Sequence, residues 1–145
     1  MLLRKNLPKI CIALGQSDPK RLLDLARNEA SSGERFLEFR LDYLPRPLQG
    51  AALIAEFLKD YPECSVLATC RRHQNHGKFN GSIEQQLAVL NEAIAQGAKA
   101  VDVEIESAEL AIPGVRDLAA HTTLLVSYHN FEGTPAMEPV LKRML

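Results

Sequence analysis

Short apolar runs alternate with stretches of helical period along the whole chain, and this alternation restricts the fold more than any other feature. The runs are KICIAL (9–14), FLEFRLD (36–42), SVLATCR (65–71), AVDVEIE (100–106) and TLLVSYH (123–129). Between them the helix signals are local and chemical. Asp18-Pro19 reads as an N-cap followed by proline at the first helical position, and Gly33 closes that helix. A second helix is expected over 48–59, with Pro62 beyond it. Ser82-Ile83-Glu84-Gln85 has the form of a capping box, and Leu87, Leu90 and Ile94 make one stripe before Gly97. A fourth helix over 108–120 must be irregular or start late because of Pro113, and Thr134-Pro135 is expected to open a fifth. Strand and helix repeated five times give a parallel sheet joined by right-handed crossovers, with no linker or low-complexity tract between units.

Side-chain parity separates the two architectures open to such a chain. In the second run Glu38, Arg40 and Asp42 share one face, and Leu37, Phe39 and Leu41 the other. In the fourth, Asp102, Glu104 and Glu106 alternate with Val101, Val103 and Ile105. Thr69 with Arg71, and Ser127 with His129, continue the polar set. A doubly wound sheet is covered by helices on both faces and reads apolar on both. One charged face fits instead a barrel whose exterior meets helices and whose lumen holds a polar site. The expected class is therefore α/β, TIM-barrel-like of the (βα)8 type. A complete barrel takes roughly 250 residues, so residues 1–145 are read as a single partial barrel domain of five N-terminal βα units.

Composition removes several function classes. With 17 Lys and Arg against 18 Asp and Glu the net charge is −1, so no basic field draws nucleic acid or an anionic membrane. No apolar run approaches the roughly 18 residues of a membrane helix, and Pro8-Lys9 interrupts any signal-peptide core, which gives a cytoplasmic reading. Cys11, Cys64 and Cys70 are odd in number and lack C-x-x-C spacing, so they read as reduced thiols, two of them inside strands. His73 and His76 lie three apart in the loop RHQNHGKFNGS without a carboxylate or cysteine to complete a ligand set; no metal is expected, and the loop reads as exposed and flexible. Neither a Walker A loop nor a dinucleotide fingerprint occurs.

Barrel enzymes place their chemistry at the C-terminal ends of the strands. There stand Glu38 and Arg40 of the second strand, Arg71 of the third and His129 of the fifth. Guanidiniums in a lumen fit a small substrate bearing a carboxylate, and Glu accepts from hydroxyls or pairs with Arg. Histidine at the rim is the natural proton carrier near neutral pH. Each residue also has a plainer reading: Glu38 and Arg40 as a luminal ion pair, Arg71 paired with Glu104, the acidic residues of strand four as structural partners of the arginines, His129 as a strand-end histidine.

Taken together, Glu38-Phe39-Arg40-Leu41-Asp42, Thr69-Cys70-Arg71, Asp102-Val103-Glu104 and SYHNFEGTP at 127–135 resemble the type I 3-dehydroquinate dehydratases, in order and over essentially the whole chain. The resemblance implies cofactor-free dehydration of 3-dehydroquinate through a Schiff base on a lysine. His129 would be the general acid/base, with Glu38, Arg40 and Arg71 holding substrate. The family's imine-forming lysine resembles a residue on a sixth strand, which the present sequence does not reach. Lys5 and Lys9 precede or open strand one, Lys20, Lys59 and Lys142 fall in helices, Lys99 precedes strand four and Lys78 lies in a loop. Asn75 stands where the family commonly has an acidic residue, and Ala13 where it has a serine. The expectation is a binding and proton-transfer portion without its electron sink. Two alternatives remain at this level: a non-catalytic half-barrel that associates through its open sheet edges, for instance as a homodimer, and another barrel lyase of aldolase type.

Overall fold

The computed structural model describes residues 7–145; Lys5 and the start of the N-terminal segment lie outside the described residues. Five strands, β1 (Ile12–Leu14), β2 (Phe36–Arg40), β3 (Ser65–Thr69), β4 (Ala100–Glu104) and β5 (Thr123–Ser127), form one sheet in sequence order. All four pairings are parallel. The helices are α1 (Pro19–Ser31), α2 (Pro47–Gly50), α3 (Ala52–Asp60), α4 (Ile83–Ala95), α5 (Ile105–Leu110), α6 (Ile112–His121) and α7 (Met137–Met144).

Local chemistry sets most boundaries. The Asp18 carboxylate accepts from the Lys20 N–H at 2.9 Å ahead of Pro19, and Gly33 leaves α1 at φ +107°, a conformation glycine adopts without strain. Ser82 and Gln85 form the reciprocal capping box of α4. Pro113 has no N–H to donate and is tolerated only in a first turn, so the chain breaks at Ala111 and restarts as α6. The last helix begins at Met137 rather than at Thr134-Pro135. Had it begun at Pro135, Pro139 would fall where an N–H must reach back four residues; starting at Met137 keeps Pro139 in the first turn. Strand four also ends earlier than its alternation implies. Glu106 lies in the first turn of α5, where a carboxylate is favourable at the positive end of the helix.

The sheet separates two clusters. On its outer face Leu37, Phe39, Val66, Ala68, Val101 and Val103 are fully buried against α1, α3, α4 and α6, with Phe39 and Phe57 rings 5.6 Å apart. Full burial of such a phenylalanine is worth roughly 3 kcal/mol. On the inner face Phe36, Leu67 and Ala100 form a second cluster with Leu7, Cys11 and Leu125. The inner face is thus layered along the strands. Phe36 precedes Glu38 and Arg40, Leu67 precedes Thr69 and Arg71, Ala100 precedes Asp102 and Glu104, and Leu125 precedes Ser127 and His129. An apolar floor lies under a charged tier at the C-terminal end of the sheet.

Candidate active site

Register carries the charged tier from strand to strand. Arg40 is level with Thr69, Thr69 with Asp102, and Glu104 with Ser127. Arg40 does not pair with Glu38. Its Nε and Nη2 donate to the two carboxylate oxygens of Asp42, both at 2.9 Å, and its guanidinium lies 4.9 Å from the centre of the Tyr43 ring. Asp42 has left the strand for a 3-10 turn, Leu41–Tyr43, where it is 3% exposed and also accepts the Lys78 N–H at 3.0 Å. A fork-to-fork pair of this kind fixes the plane of the guanidinium as well as its position. Glu38, next to Ala13 and Leu67 in register, is half-buried and makes no ion pair among the described residues. Burial, reinforced by the Glu38 charge, pushes the Cys11 thiol up to about 12, so this cysteine is an inert thiol.

Arg71 lies one step beyond β3 and reaches across to β4. Its Nη2 donates to Asp102 Oδ1 at 3.2 Å, and Ser127 Oγ donates to the same oxygen at 2.8 Å, so one carboxylate ties three strands together. Arg71 Nε lies 3.4 Å from Glu104 Oε1, an ionic contact without hydrogen-bond alignment; both atoms are buried and unpartnered among the described residues. Glu104 is 1% exposed, and burial raises its carboxyl pKa despite a 2.7 Å hydrogen bond from Gln86 Nε2. The same amide nitrogen donates to the Cys70 carbonyl at 2.9 Å. Sequence reasoning does not single out Gln86, yet it carries a signal: a polar residue on the apolar stripe of α4, beside Leu87 and Leu90.

The loop after Arg71 is a compact, hydrogen-bonded turn rather than an open one. The Phe79 N–H returns to the Arg71 carbonyl at 3.0 Å, and the His73 N–H to the Phe79 carbonyl at 2.8 Å. His76 takes the left-handed conformation at φ +62°. Gly77 is required here because a Cβ would fall 2.0 Å from the Arg71 carbonyl oxygen. Asn75 Nδ2 donates to Glu106 Oε2 at 3.0 Å. Among the described residues no three His, Cys, Asp or Glu are grouped to hold a metal ion.

His129 follows β5 at the same end of the sheet and is half-buried, with Nδ1 enclosed and unpartnered among the described residues. Burial, then the Arg71 charge, hold its pKa below the ordinary histidine value; Asp102 and Glu106 oppose them, and Arg40 adds to the lowering. The imidazole is therefore neutral near pH 7 and able to accept a proton. Its ring stacks at 11° and 6.1 Å with Phe131, which in turn lies 4.2 Å from the His76 ring. Arg40, Arg71 and His129 converge on one inner face, and Glu38 shares it one step below Arg40. Glu106 does not belong to the strand set expected from alternation.

Five parallel βα units in sequence order bring Arg40, Arg71 and His129, with the carboxylates that hold the arginines, to the C-terminal end of one sheet, the arrangement of a partial βα barrel. The family model described as Type I 3-dehydroquinase matches residues 10–145, and the chain belongs to that family. It is 35% identical over 131 residues to the 3-dehydroquinate dehydratase of Desulfotalea psychrophila, covering 89% of this chain and 54% of that protein. To the corresponding protein of Dehalococcoides mccartyi it is 33% identical over 144 residues, covering 97% and 59%. The fold is similar to the crystal structure of the type I 3-dehydroquinate dehydratase from Clostridium difficile, with a TM-score of 0.81 at 20% identity over 93% of this chain and 56% of that one. The Geobacillus kaustophilus 3-dehydroquinate dehydratase gives 0.77 at 23% identity, covering 94% and 56%. The chain spans about half the length of the curated relatives it matches.

Proposed function

We propose that this chain supplies the substrate-holding and proton-transferring portion of a 3-dehydroquinate dehydratase. The observation that carries the reading is the convergence of Arg40, Arg71 and His129 on one face, above an apolar floor. Arg71 and Arg40 would hold the substrate carboxylate and hydroxyls, Arg40 with its plane fixed by Asp42 and Arg71 anchored at one nitrogen by Asp102. Glu38, which makes no ion pair among the described residues, would accept from a hydroxyl on the same face. His129 would take a proton from the carbon beside the substrate carbonyl and return one to the departing hydroxyl. A C–H and a C–O bond break, a C=C bond forms, and water leaves. An imine with a lysine lowers the barrier of the first step by giving the electron pair somewhere to go. None of the described lysines ends a strand. Lys78 comes nearest in context, with Nζ 5.9 Å from the Tyr43 ring that underlies Arg40. The imine-forming lysine is assigned to polypeptide other than residues 7–145.

Calorimetric titration with 3-dehydroquinate tests the reading: binding that Arg71→Ala or Arg40→Ala weakens at least about tenfold supports it, and binding indifferent to both overturns it. Borohydride treatment with substrate locates the imine by mass; an adduct on Lys78 would replace the assignment of the lysine to other polypeptide.

A second reading, association through the sheet, is favoured by β1 and β5, each paired on one side only among the described residues, and by the exposed Met137 and Leu141 of α7 with Leu145 just beyond it. Sedimentation of the isolated chain decides it, since a monomer at tens of micromolar (roughly where exposed edges associate) removes the reading.

A further inference from the structure

We propose that Gln86 is a positioning residue for Arg71, its amide nitrogen holding both the peptide that leads into Arg71 and the carboxylate that faces its guanidinium. The inference deepens the reading of Arg71 as a substrate-holding residue and rests on it. A side-chain amide nitrogen carries two hydrogens, and Gln86 places both. Nε2 donates to the Cys70 carbonyl at 2.9 Å, and that carbonyl belongs to the peptide unit joining Cys70 to Arg71. It also donates to Glu104 Oε2 at 2.7 Å, while Glu104 Oε1 lies 3.4 Å from Arg71 Nε. Arg71 is thereby framed at its backbone and at its charged end by one side chain of α4.

Gln86 is itself fixed. It directly follows the capping box of α4, and its N–H donates to the Ser82 carbonyl at 2.9 Å. The side chain is fully buried at the helical spacing of Val89, Leu90 and Ala93, and its own Oε1 is buried without a partner among the described residues. An apolar side chain of the same size would serve packing better, since a buried polar atom left unpaired costs stability. What Nε2 holds accounts for an amide at this position.

Arg71 depends on such a frame more than Arg40 does. Asp42 takes Nε and Nη2 of Arg40 in a two-bond fork, both at 2.9 Å. Asp102 takes only Nη2 of Arg71, at 3.2 Å, through an oxygen shared with Ser127. At the Nε end Arg71 faces Glu104, whose Oε2 also lies 3.5 Å from Ser107 Oγ. Burial raises the Glu104 pKa, and the Gln86 hydrogen bond is foremost among the influences that oppose it. The contact that places this carboxylate therefore also favours the charged form that attracts a guanidinium.

The test is the exchange of arginine Nε–H groups with water, read by nitrogen-15 NMR at mildly acidic pH without substrate. The Arg71 and Arg40 signals are assigned from the spectra of Arg71→Lys and Arg40→Lys. Gln86→Met keeps the bulk of the side chain and removes the donor. It is expected to speed exchange at Arg71 Nε by about threefold or more, while Arg40 Nε, which Asp42 holds, stays unchanged. Glu104→Gln should act in the same direction. No substrate enters the measurement, so failure of 3-dehydroquinate to bind and failure of this coupling are separate results. Unchanged exchange at Arg71 overturns the proposal, and so does acceleration of both arginines by one factor, the mark of a merely loosened fold. Should Gln86→Met not fold, either of those results in Glu104→Gln overturns it instead.

Discussion

Replacing Asp42 by asparagine removes the charge that fixes Arg40 while keeping the shape of the side chain. In the wild type two carboxylate oxygens each take a 2.9 Å hydrogen bond from the guanidinium, and one of them also takes the Lys78 amide. Asp42 has a fully buried side chain and Arg40 is 15% exposed, so this is a pair in low dielectric rather than a surface contact. Stripping one partner from a buried pair costs about 3–5 kcal/mol, because the other charge is left without compensation. The partial exposure of Arg40 lets water recover some of that loss, which places Asp42→Asn near the lower end, about 3 kcal/mol. With a urea slope of about 2 kcal/mol per molar for a chain of this size, the midpoint should fall by roughly 1.5 M. The assay is urea unfolding followed by circular dichroism, on Asp42→Asn, Arg40→Gln and the double variant. A coupling energy of at least about 1 kcal/mol is expected, since the second substitution removes the charge the first one stranded. A loss under about 1 kcal/mol with no coupling would refute the clamp and, with it, the claim that Arg40 is held in a fixed plane.

Glu104 and His129 give stability opposite pH slopes. Burial raises the Glu104 pKa above its unfolded value, so its contribution is complete below the ordinary carboxylate range and fades as pH rises through the raised value; in Glu104→Gln that segment of the pH–stability curve should flatten. The His129 pKa is lowered, so its contribution is present above the ordinary histidine value and is lost as pH falls through the depressed one; His129→Gln should remove that acid-side loss. Gly77→Ala puts a methyl 2.0 Å from the Arg71 carbonyl oxygen, and the turn must open. The expected sign is faster hydrogen exchange at the Phe79 amide, which donates to that carbonyl, with exchange in β2 unchanged.

Parity is the legible part of the fold, because a parallel sheet with one helical face forces Leu37, Phe39, Val101 and Val103 to one side whatever follows. Caps written into adjacent residues, Asp18-Pro19 and Ser82-Gln85, are legible for the same local reason. Errors gather where strands end. Asp42 and Glu106 continue the alternation in the sequence, yet the chain has already turned into helical conformations, and the alternation runs on after the strand has stopped. The Asp42 clamp follows from that turn: two residues past Arg40 on a strand, a carboxylate points the same way several ångströms on, whereas in a 3-10 turn it folds back onto the guanidinium. Thr134-Pro135 looks like a helix start until Pro139 is counted, and the helix has to satisfy both prolines. The apolar floor of Phe36, Leu67, Ala100 and Leu125 is hidden in the sequence because charge dominates the inner face and its uncharged members pass as ordinary strand residues. Arg40, Arg71 and His129 do share that face, as parity requires.

One pocket formed by the ends of three strands is the claim on which the functional account depends. It is tested most directly by titrating 3-dehydroquinate into the isotopically labelled chain and following the arginine Nε–H groups, the His129 imidazole and the backbone amides together. The account predicts saturable shifts with a single dissociation constant at Arg40, Arg71, Ser127 and His129, and none on the helical exterior. Shifts confined to one of these groups, or spread over α1 to α7 while the strand ends stay silent, would contradict it.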